Sequence, residues 1–269
     1  MIRRELVQFQ SGKFLLTGQW DGPWNDLPDD NPTGARPGVI FCHGFTGNRF
    51  ESRRLFARLS ADLAAAGYWT FRFDHRGCGD SQGDFADFTA TGLLEDLRAA
   101  LAVFLADGRA DNRRSAVVGF SLGGLSASYL LSQYPDFVTG ALWAPVAQPD
   151  IIRDRLATYP GFEDYLKSGH FDYMGTRVSA GYIDEIGRLE PVKWAKSFAR
   201  PLLFTQAEGD VIVKPAQVRM YLEARANPAD ELLMISGGDH FFGRAENGDR
   251  VRSRTFAWLE ERLRNENRP

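Results

Sequence analysis

The chain has 269 residues, 43% apolar and 25% charged, with 20 Phe and 6 Trp, a composition that supplies a large core and excludes intrinsic disorder. Its 32 basic side chains against 35 acidic ones leave a formal charge of −3, so there is no cationic excess to neutralise a phosphate backbone or an anionic membrane, and nucleic acid is not expected as a partner. No apolar run approaches the roughly 18 residues of a spanning helix, and Met1-Ile2-Arg3-Arg4-Glu5 leads into no signal-type stretch; a cytoplasmic protein without a membrane span is the expectation.

At roughly 150 residues per domain the length suggests one large domain or two small ones, and no repeat or low-complexity tract divides the chain. Residues 6–9 and 14–20 flank Ser11-Gly12-Lys13, which predicts an antiparallel hairpin. Residues 21–38 hold Pro23, Pro28, Pro32 and Pro37 and read as a surface loop. Beyond them apolar strands alternate with helical stretches: 39–42 before 55–66, 69–73 before 93–105, and 116–120 before 122–131. Leu93, Leu97, Ala100, Leu101 and Phe104 recur at helical spacing. Strands at 138–143, 201–206 and 231–235 follow, and a helix near 251–263 closes the chain.

This alternation predicts an α/β fold, a mostly parallel eight-stranded sheet flanked by helices on both faces. The rhythm breaks between Pro145 and Lys196, a stretch dense in aromatics with helical fragments and no convincing strand. Ligands bind beyond the carboxyl ends of strands in open α/β sheets, so an insertion there reads as a cap. The organisation expected is therefore a core over 1–145, a cap over 146–196, and the core resumed over 197–269.

Gly119-Phe120-Ser121-Leu122-Gly123 follows a predicted strand and opens a predicted helix. A serine hydroxyl is a weak nucleophile that must stand clear of the backbone and meet a base, and a G-x-S-x-G turn between strand and helix does the first of these. The amide of Leu122, at a helix N-terminus, is placed to meet an oxyanion. Of the four histidines, His240 in Gly237-Gly238-Asp239-His240-Phe241 lies just past the last strand and is the expected base. His170 and His75 read as structural or surface residues. Chain order then asks for an acid between Ser121 and His240. Glu208-Gly209-Asp210 follows a strand, and Asp210, beyond the glycine, is the better placed; Glu208 is the alternative. The second oxyanion donor is expected from His43-Gly44-Phe45, namely the amide of Phe45, with His43 bracing that loop. Cys42, His43, His75 and Cys78 lack standard metal-ligand spacing, so neither a metal nor an organic cofactor is expected, and the two cysteines should be free thiols.

These residues resemble the serine α/β-hydrolases over nearly the whole chain. Within them, His43-Gly44-Phe45-Thr46-Gly47-Asn48 and Phe71-Arg72-Phe73-Asp74-His75-Arg76-Gly77-Cys78-Gly79-Asp80-Ser81 resemble the cinnamoyl and feruloyl esterase branch. The resemblance implies a Ser121, Asp210 and His240 triad, a Phe45 and Leu122 oxyanion hole, a small cap, and hydrolysis of aromatic carboxylic esters. In the cap it survives at Gly181-Tyr182, which makes Tyr182 the expected substrate contact. The function expected is a serine carboxylesterase on a small-molecule ester. A serine aminopeptidase or amidase and a thioesterase or acyltransferase share the same triad, and a non-catalytic hydrolase-fold binding protein is the remaining alternative. The oligomeric state is left open, with a homodimer as the partner considered.

Overall fold

The structure, a computed structural model, describes residues 1–24 and 35–265. One eight-stranded sheet has the order β1-β2-β4-β3-β5-β6-β9-β10, formed by β1 (Ile2–Ser11), β2 (Phe14–Pro23), β3 (Arg36–Cys42), β4 (Trp69–Phe73), β5 (Ala110–Phe120), β6 (Thr139–Trp143), β9 (Leu202–Ala207) and β10 (Glu231–Ile235). The hairpin β1-β2 and the β2-β4 pair are antiparallel, and every pairing from β4 to β10 is parallel.

Side chains alternate across a strand, and β3 shows how that alternation builds two layers. Val39 and Phe41 join a cluster with α1 (Leu55–Ala65) and α9 (Ala245–Asn265). Ile40 and Cys42 join the cluster of α2 (Ala90–Ala106), α3 (Leu122–Gln133) and α8 (Pro215–Arg225) on the other face. Leu93, Leu97, Ala100, Leu101 and Phe104 of α2 are all buried, as their spacing predicts. The Thr89 hydroxyl caps that helix by accepting from the Gly92 amide at 2.9 Å. No helix among the described residues is long and apolar enough to cross a membrane.

Two local expectations need correction, and one helix is not legible in the sequence. The loop read over 21–38 is strand at both ends: Asp21 and Pro23 belong to β2, paired with Thr70 and Ile2, and β3 begins at Arg36. Sheet pairing on both sides imposes extended backbone there despite the prolines; residues 25–34 lie outside the described residues. The helix α8 carried no readable stripe, because only Gln217, Val218 and Tyr221 of it are buried. Between β6 and β9, alongside α4 (Asp150–Leu156), α5 (Tyr165–Ser168), α6 (Ala180–Glu185) and α7 (Pro191–Ser197), the chain forms an antiparallel hairpin, β7 (His170–Tyr173) with β8 (Thr176–Ser179). Four-residue strands are too short for alternation to register in a sequence.

The hairpin β1-β2 is tied to the sheet through a buried carboxylate. Asp21 accepts from Ser60 Oγ at 2.6 Å, Gln19 Nε2 at 2.6 Å and Arg72 Nη2 at 2.7 Å, and neither Asp21 nor Arg72 is more than 1% exposed. Removing one partner of such a pair leaves an uncompensated charge in the interior, at a cost of about 3–5 kcal/mol. Asp21→Ala should lose that much stability in denaturant unfolding; a loss under about 1 kcal/mol would mean that Arg72 is hydrated in solution.

Candidate active site

Between the end of β5 at Phe120 and the start of α3 at Leu122 one residue reverses the chain. Ser121 does so with φ 57° and ψ −117°, a left-handed conformation that side chains rarely adopt and that the surroundings must impose. Its N–H donates to the Trp143 carbonyl at 2.8 Å, and its own carbonyl accepts from Gly124 at 2.9 Å and Val146 at 3.2 Å. The turn also needs bare backbone two residues away on either side. A Cβ on Gly119 would lie 2.0 Å from the Gly123 carbonyl oxygen, and one on Gly123 would lie 1.8 Å from that of Cys42.

The side chain so presented meets His240. Its Oγ lies 3.0 Å from His240 Nε2, and His240 Nδ1 lies 2.7 Å from Asp210 Oδ2. An ionised carboxylate only accepts, so Nδ1 carries the proton and Nε2 is free to accept from the hydroxyl. Asp210 is held in turn: Oδ1 accepts from the Ile212 and Val213 amides at 2.9 and 2.8 Å, and Oδ2 from Gln206 Nε2 at 3.1 Å. Ser121, Asp210 and His240 are all buried. Glu208 is exposed and accepts from Ser236 Oγ at 2.8 Å, so the fold brings Asp210 and not Glu208 to the imidazole.

Phe45 and Ser121 line one cleft of about 140 Å³. The Leu122 amide, first of its helix, has no acceptor within the helix; among the described residues neither it nor the Phe45 amide donates to another group. The Phe45 loop is fixed from below. Gly44 N–H donates to Glu51 Oε2 at 2.8 Å, and Ser52 N–H donates to Glu51 Oε1 at 2.8 Å. Glu51 itself has φ 59° and also lines the cleft. Burial raises its carboxyl pKa, against the pull of those two amides and of nearby His240. His43 donates from Nδ1 to the Gly44 carbonyl at 2.9 Å and accepts at Nε2 from the His75 amide at 3.2 Å. It thus braces the loop as a neutral ring. His75 is buried against it, their ring centroids 4.9 Å apart, while His170 lies on β7, its Nδ1 donating to the Ser168 carbonyl at 3.1 Å.

The structure does not bring Tyr182 to the cleft. Its ring is fully buried and stacks behind Phe45, centroids 5.3 Å apart and 15° from parallel, and its hydroxyl has no hydrogen-bond partner among the described residues. Phe45 takes the place at the cleft wall, because the loop that carries its amide also folds its ring over Tyr182. The tyrosine that does line the cleft is Tyr173, with Arg155 of α4 beside it; neither stands in a motif, and only the folding of residues 150–179 puts them there. Cys42 and Cys78 are unpaired and buried, and burial raises both thiol pKa values. Among the described residues no group of three or more His, Cys, Asp and Glu side chains is placed to hold a metal ion.

Burial, and after it the neighbouring His75, lowers the pKa of His43 from 6.5 to about 3. The unfolded chain therefore binds a proton that the folded protein refuses, and the stability associated with His43 is present above about pH 6.5 and is lost as pH falls toward 3. The stability difference between the wild type and His43→Gln should narrow over that window in denaturant unfolding at several pH values; a difference that stays constant would show that the folded ring protonates normally.

The sequence pattern of the alpha/beta hydrolase family matches residues 39–264. Among solved structures the chain is similar to Est1E from Butyrivibrio proteoclasticus with ferulic acid bound, with a TM-score of 0.81 and 20% identity over 96% of this chain and 100% of that one. It is also similar to an esterase of Pyrococcus furiosus, with a TM-score of 0.70 and 20% identity over 97% and 92% of the two chains. A third likeness is to mouse alpha/beta hydrolase domain-containing protein 10, with a TM-score of 0.72 and 17% identity over 96% and 99%. At such identities the likeness is one of fold. An uncharacterized 31.7 kDa Escherichia coli protein of the traX-finO intergenic region is 34% identical over 88 residues, 33% of this chain and 30% of that protein, so the match spans less than a third of the curated relative. The family pattern runs from β3 into α9, across the Ser121 turn and the loops that carry Asp210 and His240, on a sheet of the same fold: the chain belongs to the alpha/beta hydrolase family.

Proposed function

We propose that this hydrolase is a serine carboxylesterase that cleaves small carboxylic esters, those of aromatic acids among them, through an acyl-enzyme on Ser121. The observation that carries the reading is the continuous hydrogen-bonded line from Asp210 through His240 to Ser121 at the wall of a cleft. In this mechanism His240 Nε2 takes the hydroxyl proton as Ser121 Oγ attacks the ester carbonyl carbon. The Phe45 and Leu122 amides receive the oxyanion. The imidazolium, held by Asp210, returns the proton to the departing alcohol and leaves an acyl-enzyme. A water deprotonated by the same imidazole then releases the acid and regenerates the serine, so no metal or organic cofactor is needed.

Residues 146–196 act as a cap over a core formed by 1–145 and 197–269, since Val146, Leu156 and Tyr173 supply cleft wall above Ser121. The rings of Phe45, Phe120, Tyr173 and Phe241 around the cleft favour an aromatic acyl group, a preference that agrees with the ferulic acid bound to Est1E. Tyr182 supports Phe45 from behind in this reading and is a positioning residue. A cytoplasmic location is in keeping with two buried, unpaired thiols.

Fluorophosphonate labelling should mark Ser121 and disappear in Ser121→Ala; label persisting at the same stoichiometry refutes the nucleophile. Asp210→Asn should lower kcat by about 10⁴-fold through the wrong imidazole tautomer, whereas Glu208→Gln should not. Ranked by kcat/KM, p-nitrophenyl and hydroxycinnamate esters should exceed thioesters and amino-acid anilides, and the reverse order would indicate a thioesterase or peptidase instead.

Glu51 bears on the oxyanion donors indirectly. In Glu51→Gln the side-chain amide must face one of the two backbone donors, which loosens the loop that aims the Phe45 N–H. The expected result is a fall of about tenfold in kcat, or about 1.4 kcal/mol in the barrier, with KM little changed. A change confined to KM would place Glu51 in ground-state binding.

A further inference from the structure

Arg155, in the last turn of α4, lines the same cleft as Ser121 and His240. The nearby hydroxyls of Tyr159 and Tyr173 raise its pKa against the effect of burial, and their rings meet edge to face with centroids 4.8 Å apart. The ring of Tyr173 approaches Phe45, centroids 6.1 Å apart, so this cluster continues the wall that begins at the Phe45 amide. Among the described residues no carboxylate neutralises Arg155. The carboxylate that lines the cleft, Glu51, already spends both oxygens on the Gly44 and Ser52 amides. Much of the remaining wall is aliphatic, with Ile151, Ile152 and Leu156 on the same helix as the exposed Arg155.

A guanidinium in such a wall discriminates between ligands by charge. A neutral acyl group seated against it strips part of its hydration and returns no acceptor. A carboxylate returns two acceptors in the plane of the guanidinium fork, as charge-assisted hydrogen bonds, and the Tyr173 hydroxyl can donate to the same group. A phenol, neutral near pH 7, returns much less. We propose that the cleft takes esters carrying a second, anionic group, a carboxylate remote from the scissile bond, which Arg155 receives together with Tyr173. The substrates are then acidic half-esters. This inference rests on the esterase reading of Ser121 for its chemistry, but not for the anion site itself.

Binding and turnover separate the two. Calorimetry on Ser121→Ala protein would compare monoethyl suberate with diethyl suberate, which puts the carboxylate on the acyl side, and O-acetyl-4-hydroxybenzoate with its methyl ester, which puts it on the alcohol side. In at least one pair the acid should bind about tenfold more tightly, the usual scale for a hydrogen bond to a charged group, and the pair that responds identifies the side. High salt should shrink the preference, Arg155→Gln should bring it close to one, and Arg155→Lys should restore part of it. A ratio near one in both pairs, or one that survives Arg155→Gln, overturns the inference. Turnover of both neutral diesters by the wild type, without preference for the acid in either pair, likewise sinks the inference and leaves the esterase standing. Arg155-dependent binding of the acid with no turnover of either ester supports the anion site and refutes the esterase.

Discussion

Ser121 can stand clear of the sheet because the residues two positions before and after it, Gly119 and Gly123, carry no side chains. With Gly119 against Gly123 and Gly123 against the Cys42 carbonyl, a β-carbon at either position would fall about 2 Å from a carbonyl oxygen, so α3 is seated directly on the ends of β5 and β3. That contact fixes the distance between the serine and the loop that leaves β3. The left-handed serine costs on the order of 1–3 kcal/mol, and the bonds to Trp143, Gly124 and Val146 over-determine it. The same contact sets the start of α3, with its free N–H, beside the loop that carries the free N–H of Phe45, without any side chain reaching for either.

A loop with an unsatisfied donor at Phe45 must be held by something other than its own backbone, and buried polar side chains hold this one. Glu51 takes the Gly44 amide and His43 ties the Gly44 carbonyl to the β4 turn. Asp74, fully buried after β4, accepts from the Arg49 amide at 2.6 Å and the Asp80 amide at 3.0 Å and pairs with the Arg49 guanidinium. The Ser81 hydroxyl closes the turn on the Asp74 carbonyl at 2.7 Å and accepts from the Thr17 amide at 2.8 Å. Buried ion pairs add little net stability over apolar packing, but removing any one partner is costly, and together they allow the loop a single geometry. The motif from Phe71 to Ser81 is therefore a brace, which is why nothing in it faces the cleft.

The aromatic density between β6 and β9 divides into two uses. Phe162 packs with Tyr165 and Phe171, and Tyr182 sits between Phe45 and Phe88; these rings seal the segment onto itself and onto the core. Tyr173 alone among them reaches both the packing and the cleft, and with it comes Arg155. A hydroxyl left without a partner, as on Tyr182, suits a ring retained for its area, since the apolar surface it buries outweighs the unpaired polar atom.

What was legible in the sequence was whatever depends on neighbours along the chain. The strands of the parallel sheet and the helix α2 announce themselves by period, and the serine turn by glycines two residues away. Asp210 and His240 each follow a strand closely enough for topology to bring both to the carboxyl edge of the sheet, where His240 meets Ser121 119 residues away. What sequence reading missed depends on contacts between distant segments. The helix α8 shows too few buried positions to leave a stripe, and β7 and β8 are too short to alternate visibly. Glu51 reads as an ordinary polar residue until the Gly44 amide is laid over it, and Tyr182 matched a motif position yet ended behind Phe45. Period and chain order are local properties of a sequence. Which side of a ring faces a cavity, and which guanidinium is left without a counter-charge, is decided only when the segment between β6 and β9 packs down on the loops of the core.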